Sequence, residues 1–282
     1  MEAAKTDVEI PDKFAINFLE MSDGVKLKHI RYDPPVSKGK LFLYPGINTL
    51  VLSWIHVLNG MSEAGFSIDY VESREKYTAK ISNKDDFSKE RMIKDCEESV
   101  ALLGLAESDY IALGSSLGAV TLLHCAAAKT VNPKHLVLVG PLIKIKMPFA
   151  FKLLFPFTND WTYRKIGKVI MQKIVLKKYT NEDADKEQKQ KYMLALELAR
   201  AVRLKKTLSS WNGSVVTDDL SKIDGSITKC YCIAASQDKL HGAETTKFIA
   251  DKIENSEYVD LKTNTAAHRK PIIDLMVRIN GR

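Results

Sequence analysis

The stretch IALGSSLGAV, residues 111–120, passes from apolar text through Gly114-Ser115-Ser116-Leu117-Gly118 into a run of small residues. Glycines two places before and two places after Ser116 imply a turn so tight that side chains on either side would collide. YIALGS (110–115) reads as a strand and LGAVTLLHCAAAKT (117–130) as a helix, so the turn joins a strand to a helix. In that setting a serine projects its hydroxyl away from the backbone. The helix start beneath it offers unpaired N–H groups and a positive dipole end. The turn is therefore a candidate nucleophile site, with Ser116 rather than Ser115 at its centre.

The text on both sides repeats the strand–helix rhythm. FAINFLEM (14–21) and VKLKHIRYD (25–33) read as a hairpin, because Asp23-Gly24 supplies the positive φ of a tight turn. KLFLYPG (40–46), FSIDYVE (66–72), HLVLVGPL (135–142), KCYCIAAS (229–236) and EYVDLKT (257–263) read as further strands. Helical spacing marks LVLSWIHVLNGMSEAG (50–65), capped by Gly65, and SKERMIKDCEESVALLGL (88–105), opened by Ser88. ETTKFIADKIE (244–254) and HRKPIIDLMVRI (268–279) are helical as well. Such alternation predicts a mostly parallel sheet buried on both faces, with the hairpin adding an antiparallel edge.

The rhythm breaks between about 143 and 216. From Lys144 to Lys206 sixteen Lys and Arg face six acidic residues, an excess larger than the +7 of the whole chain of 282 residues. The rest of the molecule is thus slightly acidic, and the basicity belongs to a helical insert. Within it, PLIKIKMPFAFKLLFPF (141–157) mixes lysines with Phe149, Phe151, Leu154 and Phe157. This text suits a lid, with apolar side chains over a pocket and the amines of Lys144, Lys146 and Lys152 in water. It also suits weak contact with an anionic membrane. No nucleic-acid-binding motif accompanies the charge.

At 45% hydrophobic and 27% charged, the composition is that of a soluble domain with a sizeable core. No window of eighteen consecutive apolar residues occurs, and MEAAKTDVEI at the start lacks the apolar centre of a signal peptide, so a cytoplasmic protein is expected. Cys96, Cys125, Cys230 and Cys232 form no Cys-x-x-Cys pair and are expected as buried free thiols, the last two on one face of a strand.

A serine needs a base, and the base an orienting acid. The order to look for is serine, an acid after a later strand, then a histidine near the end. Asp238 follows KCYCIAAS, and His268 follows the last strand in KTNTAAHRKP. Both fall at the carboxyl ends of predicted parallel strands, where open α/β sheets place their sites. His241 lies close to Asp238 but precedes the final strand, and His124 sits inside an apolar helix as a packing residue. Two N–H donors for an oxyanion are expected from Leu117, next to Ser116, and from Ile47, in the loop after KLFLY.

Over nearly its whole length the chain resembles the α/β-hydrolase family. Pro45-Gly46-Ile47 stands where that family commonly has His-Gly-x. GFSIDYVESREKYTAKIS (65–82) is similar to the family's Gly-Phe-x-Val-x-x-x-Asp-x-Arg-Gly-x-Gly-x-Ser. Gly65, Phe66 and Arg74 keep their places, Glu72 replaces the aspartate, and Glu75 and Tyr77 replace both glycines. The resemblance implies an eight-stranded mostly parallel sheet, with residues 1–142 and 217–282 as core and 143–216 as a helical lid. It also implies a serine hydrolase acting on carboxylic esters or thioesters of apolar acyl groups, with no metal or organic cofactor. Acyl transfer, carbon–carbon bond hydrolysis, or non-catalytic binding of an apolar ligand on the same scaffold are the alternatives.

Overall fold

The computed structural model describes residues 10–145, 159–179, 186–237 and 243–281. β1 (Ala15–Glu20) and β2 (Lys26–Tyr32) form the expected hairpin, with Ala15 opposite Arg31 and Glu20 opposite Lys26. Gly24, at φ 81°, makes its turn. β3 (Lys40–Tyr44), β4 (Ser67–Val71), β5 (Ile111–Ser115), β6 (His135–Val139), β7 (Lys229–Ala234) and β8 (Glu257–Asp260) complete one sheet. Its order is β1-β2-β4-β3-β5-β6-β7-β8. β3 through β8 pair in parallel, while β2 runs antiparallel to both of its neighbours. β5, which carries the Gly-x-Ser-x-Gly turn, is central, between β3 and β6.

Alternation along the strands splits the core in two. Phe42, Tyr44, Ala112, Leu136, Leu138, Cys230 and Cys232 point to one face. They pack there on α2 (Lys89–Leu102), α3 (Leu117–Ala127) and α8 (Ala243–Lys252). Leu41, Leu43, Ile111, Leu113, Val137, Val139 and Ile233 point to the other, against α1 (Ile55–Glu63) and α9 (Lys270–Asn280). Burial on both faces is what makes these strands continuous apolar runs. All four cysteines are buried and free, and Cys230 and Cys232 share a face as their spacing requires.

Local signals fix the helix ends. The predicted 50–65 helix divides into a 3-10 turn, Val51–Ser53, and α1. α1 stops where Gly65 adopts φ 87°: Gly65 N–H bonds the Ser62 carbonyl and Phe66 N–H the Met61 carbonyl, both at 3.0 Å. That pattern closes the last turn with the orphan carbonyls satisfied. At the start of α2, Ser88 Oγ accepts the Arg91 N–H at 3.2 Å.

Between β6 and β7 the chain leaves the sheet. α4 runs as Asp160–Thr162, a π-helical turn Tyr163–Gly167, and Lys168–Tyr179. α5 (Lys186–Leu198), α6 (Ala201–Trp211) and the short α7 (Thr217–Leu220) follow. The two ends of this segment meet, with Lys144 bridged to Val215 and Ile145 N–H bonded to the Ser214 carbonyl at 3.2 Å. α6 is pinned to the body by Arg203, which donates to the carbonyls of Lys76, Ala79 and Ile81 at 2.8, 3.2 and 2.8 Å. Residues 146–158, including Phe149, Phe151, Lys152, Leu154 and Phe157 of the expected lid, lie outside the described residues. No helix among the described residues is long and apolar enough to cross a membrane.

Candidate active site

β5 leads into Ser116, which turns the chain into α3 with φ 48° and ψ −118°. An L-residue with positive φ is uncommon, and here it aims the half-exposed serine out of the turn. Its backbone is held from both sides: Ser116 N–H donates to the Val139 carbonyl at 2.9 Å, and its carbonyl accepts Val120 N–H at 3.1 Å. Ser116 Oγ does not cap the helix that it precedes. Both flanking glycines are required by close approach. A Cβ at Gly118 would overlap the carbonyls of Tyr44 and Pro45, and one at Gly114 would meet Ala119 at 2.8 Å.

The loop after β3 lies against this turn; a Cβ at Gly46 would sit 3.2 Å from Ser116 Cβ. Gly46 to Thr49 form a turn closed by Thr49 N–H on the Gly46 carbonyl at 3.2 Å, with Asn48 at φ 50°. Its N–H groups have different fates. Gly46 N–H donates to the buried Ser115 Oγ at 3.0 Å, and Asn48 N–H to Glu75 Oε1 at 3.1 Å. The N–H groups of Ile47, between them, and of Leu117, the first residue of α3, find no acceptor among the described residues. Two donors are thus left over, one in the Gly46 loop and one on the residue after Ser116.

His268 ends a 3-10 turn, Ala266–His268, beyond β8. Its ring lies 4.3 Å from that of buried Trp54, inclined by 44°. Nδ1 is 2.9 Å from the carbonyl of Asn264. A carbonyl only accepts, so Nδ1 carries the proton in that bond, and in the neutral ring the lone pair lies on Nε2. Asp238 and His241 lie outside the described residues. The turn leading to Asp238 is nevertheless tied down. Asp260 Oδ1 accepts Ser236 N–H at 3.1 Å, and Gln237 N–H bonds the Lys262 carbonyl at 2.8 Å. Bonds from Lys262 to the Asp260 carboxylate keep that carboxyl well below its usual range.

Behind the loop lies a buried charged layer. Arg74 is fully buried and grips Asp95 through Nε and Nη2, each at 2.5 Å. Burial pushes the Asp95 carboxyl up, against the pull of Arg74 and Arg91. Lys76 Nζ has no hydrogen-bond acceptor among the described residues, and burial lowers its affinity for a proton despite Glu72 and Glu75 nearby. Apolar side chains cover the front. Leu194 and Leu198 of α5 pack with Leu50, Leu52 and Tyr77, and Trp211 of α6 with Met92, Leu117, Val120, Ile145 and Ile47. His124 is a packed residue, 3.2 Å from Asp219, its pKa lowered by burial.

The structure therefore packs the Gly46 loop, with Ile47, against Ser116 and Leu117, and sets the His268 ring on Trp54, the residue before α1. Sequence reasoning missed Ser115 and Glu75 as the anchors of that loop, and Asp260 as the latch of the turn after β7. The only local signals were a second hydroxyl beside Ser116, an acid in place of a glycine, and an Asp two residues before a Lys. Among the described residues no three His, Cys, Asp or Glu side chains are grouped to hold a metal ion.

No family model and no curated protein sequence matches the chain. Solved structures do match it. A hydrolase from Pseudomonas aeruginosa superimposes with a TM-score of 0.76 at 17% identity, covering 94% of this chain and 97% of that one. An esterase from Exiguobacterium antarcticum gives 0.77 at 14% identity over 94% and 99%. An enol-lactonase from Burkholderia xenovorans gives 0.74 at 13% over 93% and 97%. At such identities the likeness speaks for the fold, and it extends over nearly the full length of each chain.

Proposed function

We propose that this chain, whose fold is that of the α/β hydrolases, is a serine hydrolase cleaving carboxylic ester or thioester bonds of apolar acyl substrates through an acyl-enzyme. One observation carries the reading: Ser116 is held at φ 48° and ψ −118° at the exit of the central strand, with the Gly46 loop packed against it. That backbone costs about 1–3 kcal/mol. The cost makes sense where the hydroxyl position matters.

In this scheme Ser116 Oγ attacks the acyl carbon while His268 Nε2 takes its proton. The carbonyl electron pair moves onto oxygen, and the N–H groups of Ile47 and Leu117 donate hydrogen bonds to the oxyanion. Each such donor is typically worth about 3–4 kcal/mol in the transition state. The intermediate collapses, the alcohol or thiol leaves with the proton from His268, and an acyl-serine remains. Water, activated by the same imidazole, then releases the acid. The Asn264 carbonyl holds the Nδ1–H tautomer. Asp238, after β7, is the acid that balances the imidazolium. The helices between β6 and β7 serve as the lid, and the leucines over the Gly46 loop favour an apolar acyl chain.

A fluorophosphonate probe tests the nucleophile. The protein should be labelled at Ser116, and Ser116→Ala should be folded and unlabelled. Absence of labelling in the wild type, or labelling that persists in Ser116→Ala, refutes the proposal. With p-nitrophenyl esters, kcat/KM should rise about fourfold per methylene until the pocket is full. A flat profile would remove the apolar acyl class.

A further inference from the structure

α4 has apolar residues on two opposite sides. Inward, Tyr163 and Met171 pack with Ala199, Ala201 and Leu204, and Tyr163 Oη donates to the Leu196 carbonyl at 2.8 Å. Outward stand Trp161, Ile166, Val169 and Ile170, with 67%, 62%, 46% and 39% of their surfaces exposed. A helix that is apolar on both sides is built to lie between two apolar neighbours. The protein supplies one of them.

The π turn makes the outer face continuous. In a regular α-helix Ile166 would point about 140° away from Trp161. Here Lys168 N–H bonds the Tyr163 carbonyl, five residues back, and the extra residue in that turn brings Ile166 round towards Trp161. Val169 and Ile170 follow three and four residues on. Exposed Lys165 and Lys173 flank the same strip, and neither has an acidic partner among the described residues. The acids nearby are occupied. Glu197 binds Lys168 at 2.9 Å, and Asp160 accepts Asn83 Nδ2 at 3.2 Å and Val202 N–H at 3.3 Å.

We propose that this outer face of α4 is a docking surface for an anionic phospholipid bilayer. The strip places Trp161, Ile166, Val169 and Ile170 at the boundary between headgroups and acyl chains, with Lys165 and Lys173 among the phosphates. Tryptophan favours that boundary, with its ring in apolar surroundings and its N–H in polar ones. Charge selects the occupant. A second copy of the chain would bring the same two lysines against themselves, whereas anionic headgroups neutralise them. The surface rests on no assumption about catalysis.

The protein carries its own probe. Of its three tryptophans, Trp54 and Trp211 are fully buried, and Trp161 alone is exposed. Vesicles of phosphatidylglycerol mixed with phosphatidylcholine should shift the tryptophan emission to the blue and carry the protein down on sedimentation. Phosphatidylcholine alone should do neither, and added salt should reverse binding. Trp161→Phe should abolish the shift and keep much of the sedimentation. Lys165→Glu combined with Lys173→Glu should lower partitioning by at least about tenfold, and fluorophosphonate labelling in solution should be unchanged. Failure to bind the phosphatidylglycerol vesicles, or equal binding to both kinds, overturns the proposal. So does a lipid-free dimer that Ile166→Ser disperses, since the strip would then be a self-contact.

Discussion

Replacing Ser116 with glycine should make the protein inactive and more stable than Ser116→Ala. The backbone at φ 48° and ψ −118° lies near the first central position of a II′ turn, a place that glycine occupies without strain. For any L-residue the conformation costs about 1–3 kcal/mol. Alanine keeps that strain while removing only the hydroxyl. Glycine removes it, and gives back about 0.5–1 kcal/mol through the greater freedom of the unfolded chain. The half-exposed Cβ contributes little packing, so the net gain over alanine should be about 1 kcal/mol. For a chain of this size that corresponds to a rise in melting temperature of about 2–4 °C. Urea and thermal denaturation of the two variants measure it directly, and neither needs a substrate. If glycine proves equal to or less stable than alanine, the turn is not strained in the folded protein. The backbone then lends no support to a functional role for the Ser116 hydroxyl.

Ser115→Ala should leave the Gly46 N–H buried without its acceptor, lowering stability by about 1–3 kcal/mol and slowing fluorophosphonate labelling of Ser116 about tenfold; unchanged labelling would show that the loop holds without this bond. Asp95→Asn removes the two-pronged counter-charge of fully buried Arg74 and leaves it only Asp23, at 3.0 Å, so it should cost about 3 kcal/mol in urea denaturation, the lower end for a broken buried pair, a loss that a surface pair such as Lys270–Asp274 should not show when broken. His135 is buried with no partner for either ring nitrogen among the described residues, and burial depresses its pKa below the ordinary 6.5. The unfolded chain therefore takes up this proton first as pH falls, so the contribution is present above the unfolded pKa and is lost towards the lower folded one. Stability should fall as the pH drops below about 6.5, and His135→Phe should flatten that fall; an unaltered slope would assign it to other groups.

Chain text alone determined the architecture because it rests on local periodicity. Strands buried on both faces must be apolar throughout, helices between them must show a stripe, and a backbone that turns between strand and helix under close packing needs Gly114 and Gly118. Those demands fall within a few consecutive residues, so each β strand and the Gly114–Gly118 turn were legible before any contact was known. The roles of Ser115, Glu75 and Asp260 were not, because their partners are remote. Ser115 meets Gly46 across 69 positions, Glu75 meets Asn48 across 27, and Asp260 meets Ser236 across 24. Which N–H groups remain unused beside Ser116 is decided only after Ser115 and Glu75 have taken their share. The outer strip of α4 is likewise tertiary: apolar letters between lysines read equally as core or surface until packing consumes Tyr163 and Met171 and leaves Trp161 and Ile166 outside. Burial and hydrogen-bond satisfaction are properties of the whole assembled chain, so they can be assigned only once distant segments have met.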